Sequence, residues 1–396
     1  MAKTSLQPVK KSPPWWRSLP DDFYCQSDGT ELDSEYPLRV YGTAMMDRVM
    51  RTGLSLMISG ALLPQVIKRE GLSREREWMD FYAHLAEQRD VDQVFIAPPK
   101  VNITEHKMGK FAYKPKDIPA VELRFESPFT PLNPALTESY LSYTRNRTAR
   151  AQYWRHPDRA RPTLIFVHGV VESSYAFNSL FFSLKTFYDN GYDVLLMIQP
   201  FHGDRAERFH PFSGYGLFAG GFSQLNEGLL QAVSDLRVFV DYLFERGAPH
   251  VGISGLSLGG YLSSVMAVVE PRLAFCIPNS PLVAPVDTVR DWVPIGRAME
   301  IVGKRTGLSP LDLRRGMAIH SPLSYQPKLD PDRVMIIGGA GDRFTPPRFV
   351  RLLHSHWPES HLHWFPGNHL VHLGQQEYLK LMRHFMDSHC QNVSYP

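Results

Sequence analysis

Residues 255 to 259 read Gly-Leu-Ser-Leu-Gly, between the apolar run HVGIS (250–254) and a stretch with Leu258, Leu262, Val265, Met266 and Val269 on one helical face. A serine hydroxyl is a weak nucleophile at neutral pH, and a sharp strand-to-helix turn is one way to present it for activation. On such a turn the residues two positions either side approach each other closely, so side chains must be absent there. Gly255 and Gly259 meet that need around Ser257, and Gly260 lets the helix pack close to the sheet. Ser254 has Gly252 and Leu256 at the same offsets and lies in the strand, so it reads as a packed strand serine. A helix starting at Ser257 brings its positive end to the hydroxyl, and the Leu258 amide is the expected first donor to a developing oxyanion.

Such a serine needs a base, normally histidine, and the base needs an orienting carboxylate. The apolar run RVMIIGG (333–339) leads into AGDRFTPP, which sets Asp342 just beyond the strand's carboxyl end. Asp330 and Asp332 precede that strand and fall at the other end of the sheet. HLHWF (361–365) leads into PGNHLVHLG, where His369 follows the turn directly and His372, three residues on, is the rival base. His361 and His363 lie within the strand and read as packing or hydrogen-bonding groups. TLIFVHG (163–169) ends in His168-Gly169-Val170: the Val170 amide is the expected second oxyanion donor, Gly169 admits close backbone approach, and His168 reads as a structural hydrogen-bonding residue.

The His-Gly pair at 168–169, the serine turn at 255–259, Asp342 ahead of proline and His369 after Pro-Gly-Asn each follow a predicted strand. Together, in that order, they resemble the α/β-hydrolase superfamily over roughly residues 149–390. The resemblance implies a Ser257-Asp342-His369 triad and no cofactor. A serine at the turn disfavours epoxide and haloalkane hydrolysis, which the resemblance assigns to an aspartate nucleophile. The expected activity is cleavage of a small-molecule carboxylic ester through an acyl-enzyme, esterase- or lipase-like, on an apolar acyl or aromatic substrate. An acyltransferase, a thioesterase, or a peptidase or amidase would use the same three residues. A catalytically silent hydrolase fold kept for binding is the non-enzymatic alternative, and three intact residues at strand ends argue against it.

These residues need a scaffold, and from about residue 149 the sequence supplies one. Short apolar runs at 163–169, 193–200, 250–254, 273–279, 333–339 and 361–365 alternate with helical patterns at 178–191, 225–247 and 374–388. That alternation predicts an α/β fold, a mainly parallel sheet with helices on both faces, whose ligands bind outside the carboxyl ends of the strands. The expected division is an N-terminal helical and loop-rich extension over 1–148 and a catalytic domain over 149–396. The extension should hold helices over 41–68 and 74–88 and a strand at 121–125 in a proline-rich connection. Residues 281–332, between two core strands, read as a cap, and 199–223 as a second stretch shaping the pocket.

With 396 residues, 43% hydrophobic and 21% charged, the composition is that of a globular protein. A net charge of +3 with no long basic run gives no footprint for nucleic acid. Cys25, Cys276 and Cys390 are odd in number and far apart, which argues against a disulfide framework and a structural zinc site and favours a reducing, cytoplasmic compartment. The N-terminus lacks a secretory apolar core, and the glycosylation-like triplet Asn392-Val393-Ser394 stands alone. The most apolar stretch, GLSLMISGALLPQVI (53–67), is bracketed by Arg51 and Lys68 and falls short of the ~20 apolar residues of a span. It reads as a cap helix or, alternatively, as a helix lying on a membrane or lining an apolar substrate entrance, so peripheral membrane contact is part of the expectation.

Overall fold

The computed structural model describes residues 13–28, 37–67, 69–171 and 173–391, with the side chains of 37, 63–67, 69–72, 306 and 391 not described. Lys68 and the Asn392-Val393-Ser394 triplet therefore lie outside the described residues. The amino-terminal part holds a long helix α1 (Pro37–Ile67) and a second helix α2 (Arg69–Gln88), close to the two helical patterns read from the sequence. Strands β1 (Thr104–Lys107), β2 (Ala120–Glu126) and β3 (Thr148–Trp154) follow, then β4 (Thr163–Val167), helices α3 (Tyr175–Phe181) and α4 (Leu184–Asp189), and β5 (Asp193–Ile198).

Next come α5 (Tyr215–Ala219), α6 (Gly221–Glu245), β6 (Val251–Leu256), α7 (Leu258–Val269) and β7 (Cys276–Asn279). Helices α8 (Pro285–Arg290), α9 (Ile295–Thr306) and α10 (Pro310–Met317) occupy the segment between β7 and β8 (Met335–Gly339). The chain closes with α11 (Pro347–His356), β9 (His361–Phe365) and α12 (Gln375–Gln391).

Among the described residues the strands form one nine-stranded sheet in the order β1-β2-β3-β5-β4-β6-β7-β8-β9. β4 to β9 run parallel, while β3 joins β5 antiparallel and β2 and β1 continue antiparallel outward. The sheet thus starts upstream of the 148/149 division, because β1 and β2 extend its edge by hairpin-like pairing onto β3. β1 reads Thr-Glu-His-Lys and is exposed throughout, so it carries no apolar alternation to betray it in the sequence.

The central strands β4, β5, β6 and β8 are buried along their whole length, as expected of a sheet covered on both faces. Side chains alternate between faces with period two. Ile165, Val167, Leu195 and Met197 pack with Leu229, Leu236, Leu262 and Val265 of α6 and α7, while Leu164, Phe166, Val194 and Leu196 pack with Leu184, Phe187, Leu379 and Met382 of α4 and α12. The expected helix over 178–191 is two helices, because Ser183 takes a left-handed backbone, φ 49°, between α3 and α4.

The parallel strands all end on one side of the sheet. There β4 delivers Gly169 and Val170, β6 delivers Ser257, β8 delivers Asp342 and β9 delivers His369. Over that edge lie α8 and α9, bound to one another by the fold of 281–332, with α1 packed against α9 and α5. A buried ion pair fastens this cover: Arg314 of α10 clasps Asp287 of α8 with Nε 2.8 Å from Oδ2, and its Nη1 and Nη2 donate to the carbonyls of Leu19 and Pro20.

Candidate active site

β6 ends at Leu256 and α7 begins at Leu258, so Ser257 alone makes the turn. Its backbone, φ 59° and ψ −113°, lies where a residue with a side chain is strained. The crowding explains the flanking glycines: a Cβ on Gly259 would sit 2.0 Å from the Val167 carbonyl oxygen, and one on Gly255 2.6 Å from the same atom. The turn is pinned by its own backbone, since the Ser257 N–H donates to the Asn279 carbonyl at 3.0 Å and its carbonyl accepts from Tyr261 and Leu282. Ser254, by contrast, is buried in β6 and donates its hydroxyl to the Ile277 carbonyl at 2.7 Å.

Asp342 and His369 meet at 2.7 Å between Oδ2 and Nδ1, both buried. Asp342 Oδ1 also accepts the Phe344 and Thr345 amides at 2.9 and 2.8 Å, and the Thr345 hydroxyl lies 2.9 Å from Oδ2. Burial alone would raise the Asp342 carboxyl, yet His369 and the Thr345 donors hold it below the ordinary carboxylate value. Burial likewise opposes the charge on His369, and the Asp342 carboxylate more than offsets it, leaving the imidazole above its ordinary value. The Phe344 ring stacks on the His369 imidazole with centroids 4.9 Å apart.

The rival His372 faces elsewhere. Its Nδ1 is engaged by the Tyr378 hydroxyl and its Nε2 lies 3.2 Å from the His369 carbonyl, with Phe181 and Phe365 packed around the ring. Burial pushes this imidazole down to about 4.

The loop after β4 closes on the serine: a Cβ on Gly169 would lie 3.8 Å from Ser257 Cβ. His168 Nδ1 donates to the Gly169 carbonyl at 2.6 Å while its Nε2 accepts the Gln199 amide at 3.1 Å. Burial and the neighbouring His202 keep this imidazole well below its ordinary value. Pinning the Gly169 carbonyl fixes the 169–170 peptide plane, and in a trans peptide the Val170 N–H points away from that carbonyl. Leu258, the first residue of α7, has an amide without an acceptor inside its helix.

One residue that the sequence reading passed over joins this group. Asp47, buried on α1, accepts the amides of Arg343 and His369 on a single oxygen, Oδ2, at 2.9 and 3.0 Å. Burial first, and the nearby Asp342 charge second, push its carboxyl up to about 7. Four residues to either side α1 makes further ties: Thr43 gives its carbonyl to the Asn368 amide group, and Arg51 Nη1 donates to Asp291 at 2.6 Å and to the Arg343 carbonyl at 2.9 Å. Thr43, Asp47 and Arg51 form one face of the helix, so α1 holds the Asp342 loop and the His369 loop together. The available signal was a lone carboxylate in the otherwise apolar and basic run TAMMDRVMRTGLSLMISGALL.

Ser257, Val170, Leu258 and His369 all line one cavity of about 520 Å3. Its walls are apolar and come from every layer of the cover: Leu54 and Ile58 of α1, Phe218 of α5, Leu225 of α6, Trp292 before α9, and Met299 of α9. The stretch 199–223 contributes Phe218, Gly221 and Phe222, and 281–332 contributes residues from Leu282 to Met317. Ile58, Trp292, Ile295 and Phe344 pack into a small cluster of their own, which joins α1, α9 and the Asp342 loop.

No protein-family model matches the chain. It is 30% identical over 311 residues to uncharacterized protein Rv2627c of Mycobacterium tuberculosis strain H37Rv, covering 74% of this chain and 68% of that one, with the same figures for the counterpart in strain CDC 1551. Among solved structures it is similar to acetyl xylan esterase 1 from Thermoanaerobacterium sp. JW/SL YS485, with a TM-score of 0.53, 17% identity and coverage of 80% of this chain and 98% of that one. Acetyl xylan esterase from Paenibacillus sp. R4 matches with a TM-score of 0.50, 14% identity and coverage of 79% and 93%. At these identities the likeness speaks for the fold.

Proposed function

We propose that the chain, which has the fold of the α/β-hydrolase superfamily, is a serine hydrolase that cleaves carboxylic esters with apolar acyl groups. One juxtaposition carries this reading: Ser257 on its strained turn and His369, paired with Asp342 behind it, open onto the same apolar cavity. In this reading residues 149–396 are the catalytic domain, 281–332 its cap, and the preceding residues a wall of the pocket.

The reaction then runs in two balanced halves. His369 takes the proton from Ser257 Oγ as that oxygen bonds to the ester carbonyl carbon. Asp342 accepts the Nδ1–H, fixes the tautomer and stabilises the imidazolium. The Leu258 and Val170 amides donate to the carbonyl oxygen as it gains charge. His369 returns the proton to the departing alkoxide, the C–O bond breaks, and the alcohol leaves an acyl-Ser257. Water, deprotonated by His369, attacks the acyl carbon, and collapse releases the carboxylic acid and restores the serine.

The test is covalent and catalytic together. A fluorophosphonate probe should label the native chain at Ser257, and a panel of acyl esters should be turned over with preference for apolar acyl chains. Ser257→Ala should remove both. Labelling that persists in Ser257→Ala, or turnover that survives it, sinks the assignment. Product analysis with an added alcohol separates hydrolysis from acyl transfer.

A further inference from the structure

Helix α1 presents a third face, and it points to solvent. Leu38, Tyr41, Met45, Val49 and Leu56 recur at helical spacing and are each between 59% and 88% exposed. Gly42, Gly53 and Gly60 have nothing within 4 Å of where a Cβ would stand, so among the described residues no other part of the fold covers this side. An apolar face of five turns left in water is uncommon unless something covers it.

The face runs straight into the cavity. Met50, Met57 and Phe177 line the pocket and are also 37% to 46% exposed, so they form its mouth. Phe177 belongs to α3, and Leu180, one turn further along α3, is exposed too. Two separate elements therefore surround the entrance with apolar side chains. Charge adds the remaining clue. At about 100° per residue, Arg39 and Arg48 fall at the two borders of the apolar face. Both are exposed, whereas Asp47, the acid of this stretch, points inward and is buried. An apolar stripe bordered by arginines and free of exposed carboxylates matches a bilayer surface bearing anionic headgroups. No helix among the described residues is long and apolar enough to cross a membrane, so α1 would lie along the surface.

We propose that α1 docks on an anionic lipid surface, with α3 beside it, and that the substrate is a lipid acyl ester entering the cavity directly from that surface. The substrate half rests on the ester-hydrolase reading; the docking half does not. In the docked state Leu38, Met45, Val49 and Leu56 sit among the acyl chains and Arg39 and Arg48 meet the headgroup phosphates. The mouth at Met50, Met57 and Phe177 is then closed to water, and an acyl chain passes to Ser257 without crossing it.

The experiment uses Ser257→Ala, so that binding is read without turnover, and sediments it with vesicles of phosphatidylcholine with and without phosphatidylglycerol. The protein should sediment with the anionic vesicles and less with the neutral ones. Met45→Glu and Val49→Glu lie outside the cavity lining, and each should reduce the bound fraction about tenfold. In the active chain the same substitutions should leave turnover of a soluble short-chain ester unchanged and depress turnover of a long-chain ester embedded in vesicles. Absence of vesicle binding overturns the proposal, as does binding indifferent to both substitutions. So does a dimer in free solution that Val49→Glu dissociates, since a second copy then covers the face. Vesicle binding that behaves as expected while Ser257→Ala retains turnover leaves the docking standing and removes the catalytic reading.

Discussion

Asp47 gives one carboxylate oxygen to the residue after Asp342 and to His369 itself, and thereby ties a helix of the amino-terminal part to the two loops that carry the Asp342–His369 pair. It touches neither substrate nor nucleophile in the proposed reaction and is a positioning residue. Its charge also favours the His369 imidazolium, behind the stronger effect of Asp342. The proposed ester cleavage needs neutral His369, so kcat/KM should rise with pH through a limb set above the ordinary histidine value of 6.5. Asp47→Asn keeps an acceptor oxygen and removes the charge, and should move that limb to lower pH; an unmoved limb means that Asp47 does not sense the base. Asp47→Ala leaves two amides unsatisfied and should lower kcat by roughly 10–100-fold with KM little changed, since it misplaces the base. His372→Ala, whose ring is turned to Tyr378, should keep most of the activity. The strand-end placement of Ser257, Asp342 and His369 was legible because each is a reactive side-chain type directly after an apolar run. Asp47 was not, because helical periodicity assigns a face to a residue but does not name a partner 296 positions away.

At the level of elements, two buried contacts of ionisable side chains fix the cover. Arg314 joins α10 to α8 through Asp287 and reaches the carbonyls of Leu19 and Pro20. Removing one member of such a pair strands the other without water, so Arg314→Ala should cost about 3–5 kcal/mol in denaturant unfolding. The second contact is Glu75 of α2, whose Oε1 accepts the Ser223 amide at 2.7 Å in the first turn of α6. Burial pushes this carboxyl up to about 7, against the pull of that amide. A raised folded value means that the unfolded chain ionises first, so the group weakens the fold progressively as pH rises from about 4.5 to about 7. Glu75→Gln retains an acceptor and should raise stability by roughly 1–3 kcal/mol at pH 8, with the gain gone by about pH 4.5. Helix periods and buried strands were readable because apolar spacing is a local property. The break at Ser183 and the exposed strand β1 were not, since a single left-handed residue and an edge strand of four polar residues leave no periodic trace.

Over the whole molecule, acid sensitivity follows from imidazoles more than from carboxylates. His168, His202, His320 and His372 are held neutral by burial, with His320 pushed down to about 3 and His372 to about 4. The unfolded chain takes up protons at these positions near pH 6.5 and the folded chain refuses them, so their neutral burial weakens the fold as pH falls below that value. The carboxyls of Asp47, Glu75, Glu227 and Asp235, raised by burial, act the opposite way but are outnumbered, because burial also lowers His210, His250, His354, His356, His363 and His389. The melting temperature should therefore fall steadily from about pH 6.5 to about pH 4.5, and His320→Asn or His320→Gln should soften the decline. A melting temperature that climbs over that interval would show the carboxylates dominating. The mainly parallel sheet and the placing of reactive residues on one sheet edge were visible in the alternation of runs, and the apolar run 53–67 was readable as a cap or entrance helix, whereas the ties of α1 to the Asp342 and His369 loops depended on contacts between distant parts of the chain.

Trp292 stands edge-on to Phe344 with ring centroids 5.7 Å apart, and Phe344 stacks on His369. Among the described residues lining the cavity it is the one tryptophan. The pocket thus has a built-in fluorophore in line with the base. A fatty ester brominated along its chain should quench that emission as it enters Ser257→Ala, on the timescale of entry and with no attached dye. Trp292→Phe should erase the signal, which would let the filling of the cavity be timed separately from the chemistry at its floor.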